Sequence, residues 1–256
     1  MIKHDERIIM NLESTQMKRT AIIFFLMSLL VGFSYGADTY IRQVVQNKAF
    51  VLDGQEHEAG EEIIETWIDK KKLAKHGPGR SLIVLLDRKI IYFVDHVQKT
   101  YVEMAIPVDV HQYFPEDLEQ LMGQVNVSVL PTDEFQKFEK RECRVYEVDI
   151  ESLMISMKMR VWATLDVPFD KKSYLEEMYP ELAKVTYLLS DKAVAELSKI
   201  EGFHFRTEVV LDFLGTEMES IQEVIEMARK SAPDNIYALP RGYTKKDRLS
   251  LQDILF

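Results

Sequence analysis

The sequence predicts an α+β fold, in which a few helices pack against the open side of a curved antiparallel sheet or incomplete β-barrel. Three observations predict it. Strand-like segments follow one another through the first half of the chain with short breaks between them. One later segment, residues 154–165, alternates apolar and polar side chains along its whole length, as a long strand does. The helix-like segments are grouped and do not alternate with strands, which favours α+β over α/β.

The first half of the chain predicts a meander of adjacent antiparallel strands. Its strand-like segments are "DTYIRQVVQN", "EEIIETWIDKKKL", "SLIVLL", "KIIYFV" and "TYVEM". The breaks at residues 87–88 and 95–99 are as short as those of tight hairpins, so we expect the last three segments to pair with one another. Residues 81–86 are apolar without alternation, which predicts that both faces of this strand are covered.

The middle of the chain predicts one helix followed by strands. The segment "EDLEQLMGQV" after Pro115 has its apolar residues at helical spacing. The segment "CRVYEVDIE" is strand-like, and "MISMKMRVWATL" follows it. At ~3.3 Å per residue the latter strand extends over roughly 36 Å, a length typical of a strongly curved sheet.

The last third of the chain predicts two helices and then strands. We expect a helix over residues 171–179 that ends before Pro180. A second helix over residues 191–200 has Ser190 as its N-cap and Gly202 as its stop.

The segment "FRTEVVLDFL" is strand-like, and the residues after it fit two structures. Residues 217–229 have the apolar spacing of a helix face, but their position across Gly215 from this strand favours a hairpin partner. Near the end, "IYALPRGY" predicts a short apolar strand followed by turns at Pro240 and Gly242.

Residues 17–38 have the pattern of a secretory signal peptide. Lys18 and Arg19 precede an uncharged apolar stretch, and Ser34 and Gly36 are the small residues before a cut at Ala37. We therefore divide the chain into an upstream extension plus signal peptide, residues 1–36, and a single domain, residues 37–256. Cleavage predicts a periplasmic or secreted protein, whereas an uncleaved segment predicts an inner-membrane anchor.

Composition excludes several classes of function. The 256 residues carry a formal net charge of −10, which gives the protein no electrostatic reason to bind nucleic acid. The single cysteine, Cys143, excludes an internal disulfide, and we expect a buried, unreactive thiol. The histidines show no helical metal-ligand spacing, and the acidic stretch "DGQEHEAGEE" does not match a calcium loop. The chain also lacks a nucleophile elbow, a phosphate loop and a dinucleotide fingerprint, so we predict no metal, no cofactor and no catalysis.

Two groups of residues are candidates for binding. The first is the apolar face of the long strand, whose members are Ile155, Met157, Met159, Val161 and Leu165. Flexible methionines suit a cavity that accepts varied acyl chains, although the same residues equally fit an ordinary core. The second is a basic patch for an anionic head group or an acidic partner, formed by Lys70, Lys71, Lys72, Lys75 and Arg80. Lysines at a strand end also prevent edge-to-edge pairing, so this run fits a purely structural role as well.

The order of these segments resembles a known family. The segments concerned are "ADTYIRQVV", "ETWI", "LLDRKIIYFVDHVQKTYVEM", "RECRVYEVDI", "MRVWATLDV" and "IYALPRGYTKK". Together they resemble secreted bacterial proteins of a domain-of-unknown-function family similar to the outer-membrane lipoprotein carrier and receptor (LolA/LolB-like) superfamily. The resemblance covers most of residues 37–246. It implies an incomplete antiparallel barrel, helices that fill its open side, and an apolar cavity between them. It implies no catalytic residues, and the chain lacks the N-terminal cysteine of the lipid-anchored receptor branch.

These observations lead to one main functional hypothesis and two competitors. The main hypothesis is a non-catalytic periplasmic or secreted binding protein that holds a lipid, a lipid-modified molecule or another apolar ligand between sheet and helices. The first competitor is a protein-interaction module with a filled core and no ligand. The second is an enzyme with acidic side chains at a cleft. A large apolar cavity, a solid core, or converging carboxylates would distinguish the three.

Overall fold

Consecutive strand segments of the chain pair edge to edge into one large curved sheet. The computed structural model describes residues 38–52, 54–115, 125–152, 155–213, 215–250 and 253. The strands are β1 Asp38–Asn47, β2 Phe50–Leu52, β3 Gln55–His57, β4 Gly60–Ile68, β5 Lys72–His76, β6 Arg80–Leu85, β7 Ile90–Asp95, β8 Thr100–Ala105, β9 Asn126–Phe138, β10 Arg141–Glu151, β11 Ile155–Thr164, β12 Phe203–Phe213, β13 Thr216–Lys230 and β14 Thr244–Lys246.

Most strands that are neighbours in the sheet are also consecutive along the chain. Twelve strands of the described part pair in the order β14-β8-β7-β6-β5-β4-β1-β13-β12-β11-β10-β9, and β2 with β3 forms a separate small hairpin. The pairs are antiparallel except β14 with β8, which is parallel. The predicted class is confirmed at this level, since one large curved antiparallel sheet dominates and does not close into a barrel. The predicted meander of β6, β7 and β8 is also confirmed.

The helical residues are concentrated between β11 and β12. The helices are α1 Val110–Tyr113, α2 Lys171–Ser173, α3 Tyr179–Tyr187 and α4 Asp191–Leu197, with a π-helical turn at Tyr174–Met178 between α2 and α3. Ser190 caps α4 by accepting a hydrogen bond from the backbone N–H of Ala193, as predicted. The helix predicted around "EDLEQLMGQV" and the whole predicted signal peptide lie outside the described residues.

The prediction that Pro180 ends the helix is wrong. The helical segment runs through Pro180 to Tyr187. Proline lacks the N–H that an α-helix needs at an interior position, and the π-helical turn directly before it changes the hydrogen-bond pattern there, with the Tyr179 N–H bonding to the Tyr174 carbonyl. Proline is then tolerated because it occupies the first turn of α3.

The ambiguous residues 217–229 form a strand, as the hairpin argument predicts. They belong to β13, which pairs with β12 across Gly215 and with β1 on its other edge. Two available partner edges outweigh the helical spacing of the apolar residues, since a strand buried between two neighbours has its backbone groups satisfied along its length. Gly215 adopts a positive φ of 87°, the conformation that a tight turn requires.

Both faces of the meander are covered. On the inner face, Val84 of β6 and Ile91 of β7 pack in one cluster with Met178 and Leu182 of the helical segment. The outer face carries Ile83, which lies in a second cluster with side chains of residues 236–243. The prediction that residues 81–86 are covered on both faces is therefore confirmed.

The expectation of a short strand at "IYALPRGY" is wrong. Residues 234–237 form turns, with the Ala238 N–H bonding to the Asn235 carbonyl, and these turns press apolar side chains onto the outer face of the meander. The extended strand β14 begins only at Thr244. Packing against the sheet buries the apolar side chains of this segment, although the segment does not pair with a strand.

A buried ion pair fixes α3 to its surroundings. The Lys184 ammonium lies 3.2 Å from the Glu181 carboxylate and 2.7 Å from Asp191 at the start of α4. The other Glu181 oxygen accepts a hydrogen bond from the Val108 N–H at 2.6 Å. Because Glu181 and Lys184 are both buried, each charge requires an oppositely charged partner. Together they hold α3 against α4 and the loop before α1.

The described residues belong to one compact unit that begins at Asp38. Among them, no helix combines the length and apolar character needed to cross a membrane.

Candidate functional site

The apolar face of β11 is packed with protein side chains. Met159 and Val161 are buried, and Met157 is partly buried beside them, in a cluster with Leu197 and other apolar residues of α3 and α4. Ile155 begins β11, whereas Leu165 lies beyond the end of the strand and is half exposed. The cavities described below are lined by other residues, so a ligand role for this face stays a prediction.

The predicted basic patch divides into two groups. Lys70 and Lys71 are exposed in the turn between β4 and β5. Lys72 lies on the outer face, with its ammonium 5.9 Å from the centre of the Tyr237 ring. Strand alternation sends Lys75 to the opposite, inner face, where it lines a cavity, and Arg80 lines a neighbouring cavity.

The first cavity, of about 80 Å³, lies between the middle of the sheet and the helical segment. Five neighbouring strands, β5, β4, β1, β13 and β12, contribute side chains to its floor. Thr66 and Lys75 form a cross-strand pair on β4 and β5, and Thr207 and Gln222 form another on β12 and β13. Gln43 lies between the two pairs on β1. The inner face of the sheet is therefore polar at this place.

Tyrosines of the helical segment line the same cavity from the other side. The π-helical turn joins Tyr174 to Tyr179 by an i to i+5 hydrogen bond, and their ring centres lie 6.0 Å apart. Both rings line the cavity together with Leu182 and Tyr187 of α3. Single π-helical turns of this kind occur often at functional sites, because they redirect side chains that an α-helix would separate.

Several polar side chains that line this cavity have no hydrogen-bond partner within the described part of the chain. They include the Gln43 amide and the Thr66 and Thr207 hydroxyls, whose residues are at most 8% exposed. Buried polar groups are ordinarily hydrogen-bonded to protein or to water. The cavity therefore concentrates hydrogen-bonding capacity that remains available to a bound molecule.

Electrostatics distinguish this cavity from the rest of the core. Burial lowers the pKa of the Lys75 ammonium. Burial, together with the neighbouring Lys75, lowers the pKa of His204 to about 4, so the imidazole is neutral at pH 7. The Tyr179 hydroxyl is hydrogen-bonded to His204 Nε2 at 3.2 Å, and burial raises the pKa of Tyr179, which keeps the phenol protonated at pH 7. Among the described residues, Lys75 is the one lysine or arginine that lines this cavity.

A second cavity of about 320 Å³ adjoins the first. Lys75 and Thr186 line both. The turn at residues 77–79 and Arg80 form one part of its wall, and the acidic residues Glu62 and Asp253 also line it. Its apolar lining residues are Ile64, Pro78, Leu82, Phe93 and Val185. A polar cavity and a more apolar one therefore meet at Lys75.

A third concavity, of about 570 Å³, lies along the edge formed by β8 and β14. Its basic lining residues are Arg88, Lys89, Lys245, Lys246 and Arg248. Two of these are engaged, since Lys245 lies 3.0 Å from the Glu103 carboxylate and Lys246 lies 3.0 Å from Asp253. Sequence analysis does not identify this groove, because its residues come from two segments far apart in the chain.

A chain of hydrogen bonds crosses the outer face of the meander. Ser81 Oγ lies 2.7 Å from His76 Nδ1 and 2.6 Å from His96 Nε2. His76 Nε2 donates to the Ile236 carbonyl at 3.1 Å, and the Tyr243 hydroxyl lies 3.0 Å from His96 Nδ1. Ser81 is 2% exposed, so its hydroxyl does not face a cleft as a nucleophile must. The chain instead ties the C-terminal segment to the sheet.

The sequence pattern indicates Lys75 of the polar cavity and Arg80 of the adjoining one, but no other residue of the polar cavity. A signal exists in hindsight, since Gln43, Thr66 and Thr207 interrupt strands whose neighbouring residues on the same face are apolar. Single polar residues of this kind are visible only when the register of five strands is known.

Within the described residues, no group of three or more histidine, cysteine or acidic side chains is arranged to hold a metal ion. In comparisons with known proteins, the chain matches no family model, and no curated protein is significantly similar to it.

Proposed function

We propose that this protein is a non-catalytic binding protein that holds a ligand between its curved sheet and its helical segment. The observation that carries the proposal is the cluster of polar side chains without a protein partner that line the cavity at Lys75. A core that serves stability alone is ordinarily apolar, because a polar group that leaves water without gaining a hydrogen bond costs about 1 to 3 kcal/mol. Several such groups lining a single cavity are better explained by a bound molecule.

The resemblance to lipoprotein carriers supports the same location for the ligand. That superfamily holds its ligand between an incomplete barrel and helices, and here too the cavities lie between the sheet and α3. The more apolar second cavity suits the apolar part of a lipid-like molecule. We further propose that the protein acts in the periplasm or outside the cell, after cleavage before Ala37.

Native mass spectrometry tests this proposal. The full chain is expressed in a bacterium with its own N-terminal segment, purified without detergent, and weighed before and after extraction with organic solvent. We expect extra mass that extraction removes, and a mature chain that begins at Ala37. A mass equal to the polypeptide alone, unchanged after incubation with a mixed lipid extract, would contradict ligand binding.

The packed face of β11 favours a second candidate, a protein-interaction module. Met159 and Val161 lie in a filled core, and the basic groove along β8 and β14 offers a surface for an acidic partner. A ligand-free mass together with a copurifying acidic protein, lost when Lys89 and Arg248 are replaced by glutamate, would favour this candidate.

A further inference from the structure

We infer that the ligand is an amphipathic monocarboxylate whose carboxylate is bound by Lys75 in the polar cavity and whose apolar tail lies in the adjoining cavity. This inference rests on the proposed function and specifies the chemistry of the ligand. It follows from the charge of the site, from its hydrogen-bond donors and from the way the two cavities meet.

The charge of the polar cavity is complementary to a ligand with one negative charge. Lys75 is its one cationic lining residue in the described part of the chain, and no acidic side chain lines it there. The Lys75 ammonium has no ion-pair partner among the described residues, unlike Lys184, which has two. Taking an ammonium out of water without a partner is costly, and a bound anion compensates that cost.

The neutral groups of the cavity supply donors for an anion. The amides of Gln43 and Gln222 and the hydroxyls of Thr66 and Thr207 line it beside Lys75. A carboxylate offers four acceptor positions, and amide and hydroxyl donors to an ionised acceptor make stronger hydrogen bonds than neutral pairs do. The same groups could not all be satisfied by an ammonium ligand, which would in addition meet the charge of Lys75.

The single charge favours a carboxylate over a phosphate. His204, the second nitrogen base of the cavity, stays neutral at pH 7 and is hydrogen-bonded to Tyr179. One ammonium therefore balances a monoanion, whereas a phosphate monoester carries close to two charges at pH 7.

The junction at Lys75 sets the orientation of the ligand. The polar cavity of about 80 Å³ suits a head group, and the adjoining cavity of about 320 Å³ offers Ile64, Leu82, Phe93 and Val185 to a tail. Since Lys75 lines both cavities, a carboxylate next to it leaves the attached carbon chain directed into the larger one.

Isothermal titration with octanoate, 1-octanol and octyl phosphate tests the inference on the delipidated full chain. We expect octanoate to bind at least about tenfold more tightly than 1-octanol, the size of effect typical of a charge-assisted hydrogen bond. Octyl phosphate should bind no more tightly than octanoate. Lys75→Met should reduce octanoate affinity to that of 1-octanol and leave 1-octanol unchanged.

Lys72→Met is the matched control, because Lys72 lies on the same strand but on the outer face. It should bind octanoate as the unchanged protein does. Equal affinities for octanoate and 1-octanol, tighter binding of octyl phosphate, or equal losses in the two variants would overturn the carboxylate assignment while leaving ligand binding intact. Failure of every probe with a protein that also carries no extractable mass would instead overturn the proposed function itself.

Discussion

Lys75 is the residue at which stability and binding are expected to oppose each other. Its ammonium is desolvated among the strands and helices, and burial lowers its pKa. Among the described side chains none offers it a carboxylate. A lysine in this position is unfavourable for the stability of the fold. If it binds an anionic ligand, it is expected to reduce the stability of the ligand-free protein.

We therefore predict that Lys75→Met stabilises the ligand-free protein. Methionine keeps a long apolar stem and removes the buried charge, so the free energy of unfolding should rise by on the order of 1 kcal/mol. Urea denaturation of the delipidated protein measures the change, and Lys71→Met, at an exposed position, serves as the control. A marked loss of stability in Lys75→Met would show that the ammonium has a structural partner.

The placement of Lys75 also shows what could not be predicted at this scale. The run "DKKKLAKH" contains four lysines, and sequence analysis groups them as one patch. The start of β5 at Lys72 decides which of them point inward, because side chains alternate along a strand. A basic run has no periodicity that fixes this start, and the register comes only from the pairing of β5 with β4 and β6.

The connection between α4 and β12 depends on one glycine. The prediction that this helix extends to residue 200 with Gly202 as its stop is wrong, because α4 ends at Leu197. Gly202 instead lies in the connection to β12, where its backbone adopts a φ of +123°, which other residues rarely adopt. A Cβ atom there would lie 2.6 Å from the Thr164 carbonyl oxygen at the end of β11. The close approach of two backbone segments therefore requires glycine at this position.

We predict that Gly202→Ala destabilises the protein by roughly 2 kcal/mol or more, because both the backbone conformation and the contact are unfavourable for alanine. Gly60→Ala is the control, since a Cβ atom at Gly60 meets no atom within 4 Å. That variant should stay within about 0.5 kcal/mol of the unchanged protein. Thermal unfolding of both variants provides the comparison, and similar melting temperatures would contradict the structural argument.

Elements differ in how well the sequence predicts them. The strands β11 and β13 are predicted because alternation, or an adjacent hairpin, specifies them locally. The helical segment through Pro180 is not predicted, because the π-helical turn that accommodates the proline has no recognisable local signal. The polar cavity could not be predicted from the sequence either, since the π-helical turn aligns Tyr174 and Tyr179 above strands that are distant in sequence.

Across the whole molecule, two histidines with lowered pKa values make the stability of the site and of the C-terminal segment depend on pH. Burial lowers the pKa of His76, which joins Ser81 to the Ile236 carbonyl, and lowers the pKa of His204 to about 4. The folded protein therefore keeps both imidazoles neutral to a lower pH than the unfolded chain, in which histidine binds a proton near pH 6.5. The unfolded state is thus favoured as the pH falls below 6.5.

We predict that stability falls as the pH decreases from 6.5 towards 4. The shift of His204 alone corresponds to a loss of up to about 3 kcal/mol at pH 4. Urea denaturation between pH 7.5 and about 4.5 isolates the histidines, because Glu103 and Asp253, whose pKa values are lowered, lose their contribution only below their ordinary values of 4.5 and 3.8.

His204→Gln separates the two histidines. The glutamine carbonyl can accept the hydrogen bond of Tyr179 in place of the imidazole, yet it takes up no proton, so the fall in stability between pH 6.5 and 4.5 should become shallower. The remaining slope then belongs mainly to His76, which lies on the opposite face of the sheet from His204. The exposed His111 provides the matched control, and His111→Gln should keep the slope of the unchanged protein. If His204→Gln retains the full slope, protonation at the cavity is not linked to unfolding, and acid sensitivity arises in the hydrogen-bond chain of the C-terminal segment alone.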